Sequence, residues 1–320
     1  MTSMKRHISL LVVLLVCFGW TDVFGQQESL FSQYMFNRLV INPAYAGTKG
    51  LVNVTALYRD QWVSWDGTPR TFTISGHGAV RKKDGTYSNH GIGMYAMGDE
   101  RGALGTYGFG ANYAFRIPLS VGSLAFGLQA SALQWRLDGS KVKVRDANDP
   151  VFPNTTQTAW TPDFGAGAFF NTGKFYVGAS VAHLVPFELD VTTTGKSKLS
   201  PHYFLTSGYD ISLDKENNWI LTPSFFFRTV GVGPAPVVLD LNMNLMMIQT
   251  FWVGASYRTE DALAFLAGFY PTKQLRVGVA YDVTLSNLNK PSYTGGSWEI
   301  MLSYDFGNPN KTRIVTPRYF

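Results

Sequence analysis

The feature that most restricts the fold of this chain is a two-residue alternation of apolar and polar side chains, repeated in many segments. In the stretch PVVLDLNMNLMM, Leu241 and Met243 alternate with Asp240 and Asn242, and the stretch WEIMLSYDF near the end shows the same pattern. Successive side chains of a β-strand point to opposite faces of the sheet. Each segment therefore predicts a strand with one apolar and one polar face. Such segments match the length of about 9–11 residues that a bilayer-crossing strand needs.

The charge content shows which solvent the apolar faces meet. Only 15% of the residues are charged and 15% are aromatic, whereas a water-soluble domain carries about a quarter charged residues. After the first 25 residues there is no apolar run of the length, about 18 residues, that a transmembrane helix requires. The other structure that satisfies every backbone group inside a bilayer is a closed β-barrel. A large water-soluble β-sandwich or barrel is the alternative, and the outward apolar faces disfavour it.

The sequence therefore predicts an all-β fold, a transmembrane antiparallel β-barrel of about 14 strands with an N-terminal plug-like segment. An even strand number is expected of single-chain bacterial barrels. The alternation changes phase near Leu133–Trp135, which predicts a β-bulge or a strand that extends past the membrane. The predicted strands begin near Gly50, Arg70, His90, Ala103, Gly122, Asp163, Lys174, Ser200, Asn218, Pro236, Gln249, Asp261, Lys273 and Gly296.

The lengths of the connections predict an orientation. Short turns follow predicted strands 4, 6, 10 and 12, and long connections follow strands 1, 5, 7 and 13. Short and long connections thus fall at opposite ends, as expected for periplasmic turns and external loops. Two links do not fit: Arg81–His90 is long for a turn, and the external link between strands 11 and 12 is short. These mismatches leave the strand count open by one hairpin.

The first residues have the character of a secretion signal. Met4–His7 is basic, Ile8–Trp20 is apolar, and a small residue precedes Gln26. A lipoprotein signal at Cys17 is disfavoured because that cysteine lies midway through the apolar run. We predict a signal peptide over residues 1–25, cleaved near Gly25–Gln26, and a location in the outer membrane. We further predict three regions after the signal peptide: a plug or partner segment over 26–49, the barrel over 50–306 and a periplasmic tail over 307–320.

The stretch FSQYMFNRLVINPAYAG is apolar but fits neither a helix nor an alternating strand. Burying each large apolar side chain is worth about 1.5–3 kcal/mol, so this segment is not expected to stay in water. Small residues at inward positions of the strands indicate either a close approach by another backbone or bends that let the sheet curve. These positions are Gly91, Gly93, Gly108, Gly110, Gly165, Gly167, Gly178, Ser180, Gly278 and Ala280. We predict that residues 28–47 plug the barrel, with a periplasmic partner-binding arm as the alternative. The candidate residues are Phe31, Tyr34, Met35, Phe36, Asn42, Pro43 and Tyr45, of which Tyr34, Met35 and Tyr45 are the anchors.

Two connections are candidate partner surfaces. The stretch Tyr58–Arg70 carries Arg59, Trp62 and Trp65, and tryptophan and arginine dominate interface hot spots. An aromatic girdle at the membrane interface is the alternative interpretation. The long connection Asp138–Pro162 exceeds the usual length of unstructured loops. Its Phe152 and Trp160 suggest that it folds over the mouth or meets a partner.

The chain carries no recognisable enzyme chemistry. There is no GxSxG motif and no His-x3-His pair, and the two DFG triplets lack the other kinase motifs. We predict no catalytic, cofactor-binding or metal-binding residues. No nucleic-acid partner is expected, because no basic cluster is longer than Arg81–Lys83. The inward polar residues predict either paired charges or a solute path: Arg116, Asp163, Arg228, Asp240, Arg258, Arg276, Asp282, Glu299 and Asp305.

The stretches LFSQYMFNRLVINPAYAGTKG and ALYRDQWVSWDGTPRTFTISGH resemble the PorP/SprF family, outer-membrane proteins associated with type IX secretion in Bacteroidetes. The ending RIVTPRYF is similar too, although many members have a cysteine near the position of Thr316. The resemblance implies a non-enzymatic barrel in outer-membrane lipid. It also implies protein partners in secretion or gliding motility, either exported adhesins or periplasmic and peptidoglycan-linked components. A transporter for a hydrophobic small molecule is the alternative, and an outer-membrane hydrolase lacks its motif.

Overall fold

Fourteen antiparallel strands form the barrel in a computed structural model that describes residues 29–63, 66–142, 155–185, 188–189, 197–231, 237–286 and 295–307. Short pairings at Ile211–Ser212 and between Glu188–Leu189 and Ser197–Lys198 are additional to the fourteen. The strands are β1 (Val52–Asp60), β2 (Arg70–Arg81), β3 (Tyr87–Arg101), β4 (Leu104–Leu119), β5 (Gly122–Asp138), β6 (Thr156–Asn171), β7 (Phe175–Ala182), β8 (His202–Tyr209), β9 (Trp219–Val230), β10 (Val238–Met247), β11 (Phe251–Arg258), β12 (Ala262–Phe269), β13 (Leu275–Thr284) and β14 (Ser297–Phe306).

The barrel closes through its first and last strands. Val52 of β1 pairs with Phe306 of β14, and the ladder continues to Asp60 and Trp298 at the other end. Every other strand pairs with its neighbours in sequence. The predicted fourteen-stranded antiparallel barrel is therefore confirmed. No helix within the described ranges has the length and apolar character that crossing a membrane requires.

The alternation separates the two faces of the wall. Leu241 and Met243 are 50% and 53% exposed on the outside, whereas the intervening Asn242 is only 4% exposed. The same holds in β14, where Trp298 and Ile300 point outward and Glu299 is buried. Apolar residues thus line the outer surface, and polar residues line the lumen, as the pattern predicted.

Short and long connections lie at opposite ends of the barrel. Residues 82–86, 120–121, 172–174, 210–218, 248–250 and 270–274 join strands at one end, which we call the turn end. Residues 61–69, 139–155, 183–201 and 285–296 are the long connections of the other end, the loop end. The link Arg81–His90 proved shorter than predicted because β2 and β3 extend to Arg81 and Tyr87. The link between β11 and β12 is short, as the sequence indicated.

Of the two alternatives predicted near Leu133–Trp135, the described ladder has no bulge there and has a long strand instead. Residues of β4 and β5 pair without a shift from Leu104–Leu137 to Leu119–Gly122, and β5 is a single strand of 17 residues. The phase seemed to change because Leu133 and Trp135 point inward and pack with Leu199. The register shift in the barrel lies instead between Ala79 and Arg81.

The start of β6 was predicted seven residues too late, at Asp163 instead of Thr156. The other strands begin within three residues of their predicted starts. Residues 156–162 therefore belong to a strand, not to the loop in which the sequence analysis placed them. The predicted signal peptide and almost all of the C-terminal tail lie outside the described residues.

The assignment of the faces can be tested with an arginine on the outside. Leu241→Arg places a charge in lipid and is expected to cost about 2–4 kcal/mol near the midplane. Asn242 is too buried to accept an arginine, so the lumen-side control is Asn89→Arg, in the wall of a cavity of ≈ 420 Å³. The yield of heat-modifiable barrel after refolding into lipid measures both. An equal loss of folded protein would show that the faces are assigned wrongly.

The orientation can be tested with epitope tags at the two ends. A tag after Thr155, at the loop end, is expected to bind antibody on intact cells. A tag at Gly173, at the turn end, is expected to bind only after permeabilisation. Reversed labelling would invert the topology, and labelling of both tags on intact cells would contradict a single transmembrane orientation.

Candidate functional site

The N-terminal segment, residues 29–51, folds into three short turns because its sequence contains strong local stop signals. Tyr34–Phe36 and Pro43–Tyr45 are 3₁₀ turns, and Arg38–Ile41 is one turn of α-helix. The Asn42 side chain ends this helix and begins the next turn, because its oxygen accepts a hydrogen bond of 2.9 Å from the amide of Ala44. Proline follows at the first position of that turn, where a missing N–H costs nothing.

The N-terminal segment contacts the inward faces of strands on several sides of the barrel. Ser32 meets β13 and β14, Tyr34 meets β9, and Asn42 meets β6 and β7. Residues 46–48 meet β4. The segment therefore lies across the lumen between its two ends.

Ser32 and Gln33 are held at the loop end, in what we call the loop-end anchor. The hydroxyl of Ser32 donates to both carboxylate oxygens of Asp282, at 2.8 and 2.7 Å. The amides of Ser32 and Gln33 donate to the two oxygens of Glu299, at 2.7 and 2.6 Å. Arg59 completes the anchor, since its guanidinium lies 2.8 Å from Asp282 and 3.3 Å from Glu299.

The charges of the loop-end anchor continue into a buried network. Arg258 contacts Asp240 at 2.8 Å and Asp282 at 3.4 Å, and Arg228 contacts Asp240 at 3.3 Å. All of these groups are buried. Charges in a water-poor interior need opposite charges and hydrogen bonds as partners, and here each arginine has a carboxylate. This arrangement agrees with the paired-charge interpretation of the lumen.

Aromatic side chains fill the middle of the N-terminal segment. Tyr34 stacks on Phe226 with ring centroids 4.9 Å apart, and Phe36 lies 5.1 Å from Trp252. The Tyr34 hydroxyl forms a 3.2 Å hydrogen bond with Ser224. Burial raises the pKa of Tyr34 well above its ordinary value, so the phenol stays neutral. Phe31 and Met35 belong to the same buried cluster.

A second group of contacts, the turn-end anchor, holds residues 41–48. The Asn42 amide donates to the backbone oxygens of Ala168 at 3.0 Å and Ala179 at 3.2 Å. The Ser180 hydroxyl donates to the Ile41 oxygen at 2.7 Å. Strands that already pair with each other thus offer their carbonyl oxygens to the segment as well.

Arg116 forms the second half of the turn-end anchor. Its guanidinium donates to the backbone oxygens of Ala46 at 3.1 Å and Gly47 at 2.9 Å, and to the Thr48 hydroxyl at 2.9 Å. The Gly47 amide donates to Nδ1 of His77 at 3.1 Å. Gly47 has a φ of +74°, a left-handed conformation that glycine adopts without strain.

Inward glycines make room for the N-terminal segment. A Cβ added at Gly91 would collide with Ala46, and one added at Gly127 would collide with the backbone of Pro43 and Ala44. Gly167 and Gly178 face Asn42, Gly93 faces Leu39, and Gly278 faces Gln33. All of these except Gly127 were among the small inward positions that the sequence analysis singled out. Three others face strand residues instead: Gly108, Gly110 and Gly165.

The structure corrects the position predicted for Arg59. Its place in the stretch Tyr58–Arg70 predicted a loop, but Arg59 lies in β1 and is 1% exposed inside the lumen. The alternation of β1 contains the missed signal, because Val54, Ala56 and Tyr58 point outward and Arg59 therefore points inward. Trp62 does lie in the loop after β1, and its amide donates to the Ser297 hydroxyl at 3.1 Å.

The second predicted partner loop is also changed. Trp160 lies in β6 and points away from the lumen, 59% exposed, with its ring 6.4 Å from that of Phe109. It therefore does not fold over the mouth. Trp65 and Phe152 lie outside the described residues.

Several residues of the N-terminal segment were not singled out from the sequence. Ser32, Gln33 and Arg38 are all buried, although polar residues in a mobile tail would be exposed. The guanidinium of Arg38 lies 3.9 Å from the ring centroid of Tyr176 and 5.6 Å from that of Tyr45. Such cation–π contacts are worth about 2 kcal/mol when desolvated. The sequence around these three residues does not indicate their burial, because the residues that contact them lie far along the chain.

The lumen retains a cavity on each side of the segment. A small loop-end cavity, ≈ 50 Å³, is lined by Phe31, Ile41 and Trp135. Asp163 and His183 also line it, with Nδ1 of His183 3.0 Å from a carboxylate oxygen of Asp163. A turn-end cavity, ≈ 420 Å³, lies below residues 46–48. The described residues contain no group of three or more histidine, cysteine, aspartate or glutamate side chains that could hold a metal ion.

Comparison with known proteins identifies both family and fold. Residues 23–304 match the family described as type IX secretion system membrane protein PorP/SprF. Comparison with curated proteins gives no match. Among solved structures, the CymD monoaromatic hydrocarbon channel is 10% identical with a TM-score of 0.54, over 89% of this chain and 96% of that chain.

Two further structures have similar coverage. The Acinetobacter baumannii outer membrane protein Omp33 is 10% identical with a TM-score of 0.47, over 80% of this chain and 98% of that one. A Pseudomonas aeruginosa FadL homologue is 11% identical with a TM-score of 0.49, over 83% of this chain and 93% of that one. At these identities the likeness to CymD shows a shared barrel fold and nothing about the substrate.

Proposed function

Since the chain belongs to the PorP/SprF family of type IX secretion system membrane proteins, we propose that it is a non-enzymatic barrel that docks protein partners of the secretion or gliding machinery. These partners are exported surface adhesins or periplasmic components. The observation that carries the proposal is the family match over residues 23–304, which spans the N-terminal segment and nearly the whole barrel. The barrel fold and the family together support a location in the outer membrane.

The contacts of the N-terminal segment support a second part of the proposal, that residues 28–47 act as a plug. The loop-end anchor and the turn-end anchor hold the segment at two separate levels, and the aromatic cluster fills the space between them. A barrel filled in this way serves better as a rigid platform for other proteins than as an open pore.

Transport of a hydrophobic small molecule is the competing function. The CymD channel has a similar fold, but a shared fold does not transfer a substrate. The described lumen presents buried arginines and carboxylates to any solute, such as Arg258 with Asp240. A hydrophobic molecule cannot replace the partner of a buried charge, so separating these ion pairs to admit it would cost free energy. The polar lumen therefore favours partner docking.

Loss of the gene tests the proposed function in cells. A strain without this protein is expected to retain at least one type IX cargo inside the cell, and immunoblots of medium, surface and periplasmic fractions measure it. Complementation with the wild-type chain should restore the cargo to the surface. Normal export and normal surface display in the deletion strain would contradict the proposal.

Site-specific crosslinking tests whether the loop end contacts a partner. A photoreactive amino acid at Trp62 is expected to give an adduct that mass spectrometry identifies as a type IX component or an exported cargo. The matched control is the same group at Phe265, which is exposed on the lipid-facing surface. The same adducts at both positions, or adducts with unrelated abundant proteins alone, would argue against a docking surface here.

A further inference from the structure

The turn-end cavity is a concave site that neither anchor fills. It lies inside the mouth between β3, β4 and β5, with Tyr87, Asn89, Pro118 and Ser123 in its wall. Arg116 forms its inner end and separates it from residues 46–48. At ≈ 420 Å³ it has room for a few side chains. By the predicted orientation this mouth opens to the periplasm.

Positive charge surrounds this cavity. Arg81, Lys82 and Lys83 are exposed on the adjoining turn, and Arg116 lies in the wall. None of these four has a carboxylate within 4.0 Å among the described residues. Elsewhere in the lumen each of the arginines Arg59, Arg228, Arg258 and Arg276 has one. Four cations thus lie at or beside the turn-end cavity without a carboxylate partner, although Arg116 already donates hydrogen bonds to residues 46–48.

The one acid of the turn does not neutralise the patch. Asp84 accepts hydrogen bonds from the amide and the hydroxyl of Thr86, at 2.9 and 2.6 Å. These bonds lower the pKa of Asp84, so it is ionised at neutral pH and offsets one charge only. An excess of positive charge remains around the cavity, and it attracts anions over a Debye length of about 8 Å at physiological salt.

The Arg81 side chain directs its charge toward the mouth rather than toward lipid. The guanidinium of Arg81 lies 5.4 Å from the ring centroid of Tyr87, and it donates to the Tyr87 hydroxyl at 3.4 Å. Tyr87 and Arg116 are both part of the cavity wall. A chain that enters the mouth therefore meets Arg81 and Arg116 together, whereas lipid head groups outside the barrel do not.

We propose that the turn-end cavity and the turn of residues 81–83 bind an acidic peptide segment of a periplasmic protein. One or two carboxylate side chains of the segment enter the cavity, and the others pair with Arg81, Lys82 and Lys83 at its rim. Charge complementarity selects this occupant. The chain's own last residues are a poor fit because they carry Lys311, Arg313 and Arg318. The inference deepens the proposed function, since it names the chemistry of a periplasmic partner.

Binding of a fluorescein-labelled pentaglutamate peptide to the full mature chain in zwitterionic lipid nanodiscs tests the proposal. Fluorescence anisotropy at low salt is expected to show binding that pentalysine does not show. The triple variant R81Q/K82Q/K83Q is expected to weaken binding by about tenfold, because it removes three exposed charge pairs. These side chains are exposed on a turn, so heat-modifiability of the variant should stay unchanged.

The matched control removes the same number of charges from the same end of the barrel. K174Q/K215Q/K273Q lies on the other turn-end connections, where all three lysines are exposed. Equal weakening by both triple variants would reduce the effect to net charge and overturn the site. Absence of pentaglutamate binding, or its full displacement by millimolar inorganic phosphate, would also overturn it. If instead a variant ending at Gly307 alone gained binding, the chain's own tail would be the occupant.

This measurement uses purified protein and is independent of the cargo assay. Failure of peptide binding with impaired cargo export in the deletion strain would reject the anion site and keep the proposed function. Peptide binding with normal cargo export would do the reverse.

Discussion

Deletion of residues 28–47 is expected to turn a closed barrel into a conducting pore. The segment carries Phe31, Tyr34 and Met35 into the lumen, and its removal leaves the space between the two anchors to water. Fourteen strands enclose a lumen wider than the eight-stranded barrels that side chains alone can fill. Planar-bilayer recordings should show no stable current for the full mature chain and well-defined channel events for the deletion.

A point substitution tests the same idea without removing the segment. Gly127→Leu puts a side chain where the backbone of Pro43 and Ala44 passes, so the segment is expected to leave the lumen. Gly108→Leu is the control. The nearest neighbours of a Cβ there are Leu133, Ala132 and Met97, which all belong to strands of the barrel wall and not to the N-terminal segment. Channel events with Gly127→Leu but not with Gly108→Leu would connect conductance to the segment itself.

Unchanged conductance after the deletion would reject the plug. If the deletion also abolished capture of a periplasmic partner, the alternative of a partner-binding arm would replace it. The far-ultraviolet circular dichroism of the deleted chain should keep its β signal, because the fourteen strands pair with each other without help from the segment.

Arg59→Ala is expected to destabilise the protein by about 3–5 kcal/mol. Removing one partner of a buried ion pair leaves the other charge buried without compensation. Here Glu299 loses its arginine, and Asp282 keeps only Arg258, 3.4 Å away. The same change removes a hydrogen bond of 2.9 Å to Ser32 in the loop-end anchor. Urea unfolding in lipid vesicles, followed by tryptophan fluorescence, measures the loss.

The control is an arginine on the surface of the adjacent strand. Arg70 lies 3.7 Å from Asp60, but its side chain is 61% exposed. Exposed pairs contribute about 0–1 kcal/mol, so Arg70→Ala should change stability little. Similar losses for the two variants would mean that the ion network of the lumen does not stabilise the barrel.

The strands could be predicted from the sequence because lipid imposes a rule on every second residue. Within the membrane the outward residue must be apolar, and Leu241 and Met243 obey this rule. The rule ends where a strand leaves the bilayer. Around Thr156 and Thr158 apolar and polar residues do not alternate. These residues nevertheless pair with β5 as regularly as the rest of β6. The start of β6 was missed for this reason.

The contacts of the N-terminal segment could be predicted only in part. Its aperiodic apolar run and the inward glycines at 91, 167 and 178 predicted a close approach between backbones. The loop-end anchor was not predicted, because Ser32 and its partner Glu299 are 267 residues apart and no local pattern connects them. Arg59 was misplaced for a different reason: it looked like an interface residue, and its position in the alternation was not used.

The place of Ser32 has a consequence for biogenesis. Arg59 and Glu299 face each other across the seam between the first and last strands, and both bind the same serine. Glu299 comes 267 residues after Ser32 in the chain. The amides of Ser32 and Gln33 therefore gain their carboxylate only when β14 joins the wall, so completion of the loop-end anchor is expected to coincide with closure of the barrel.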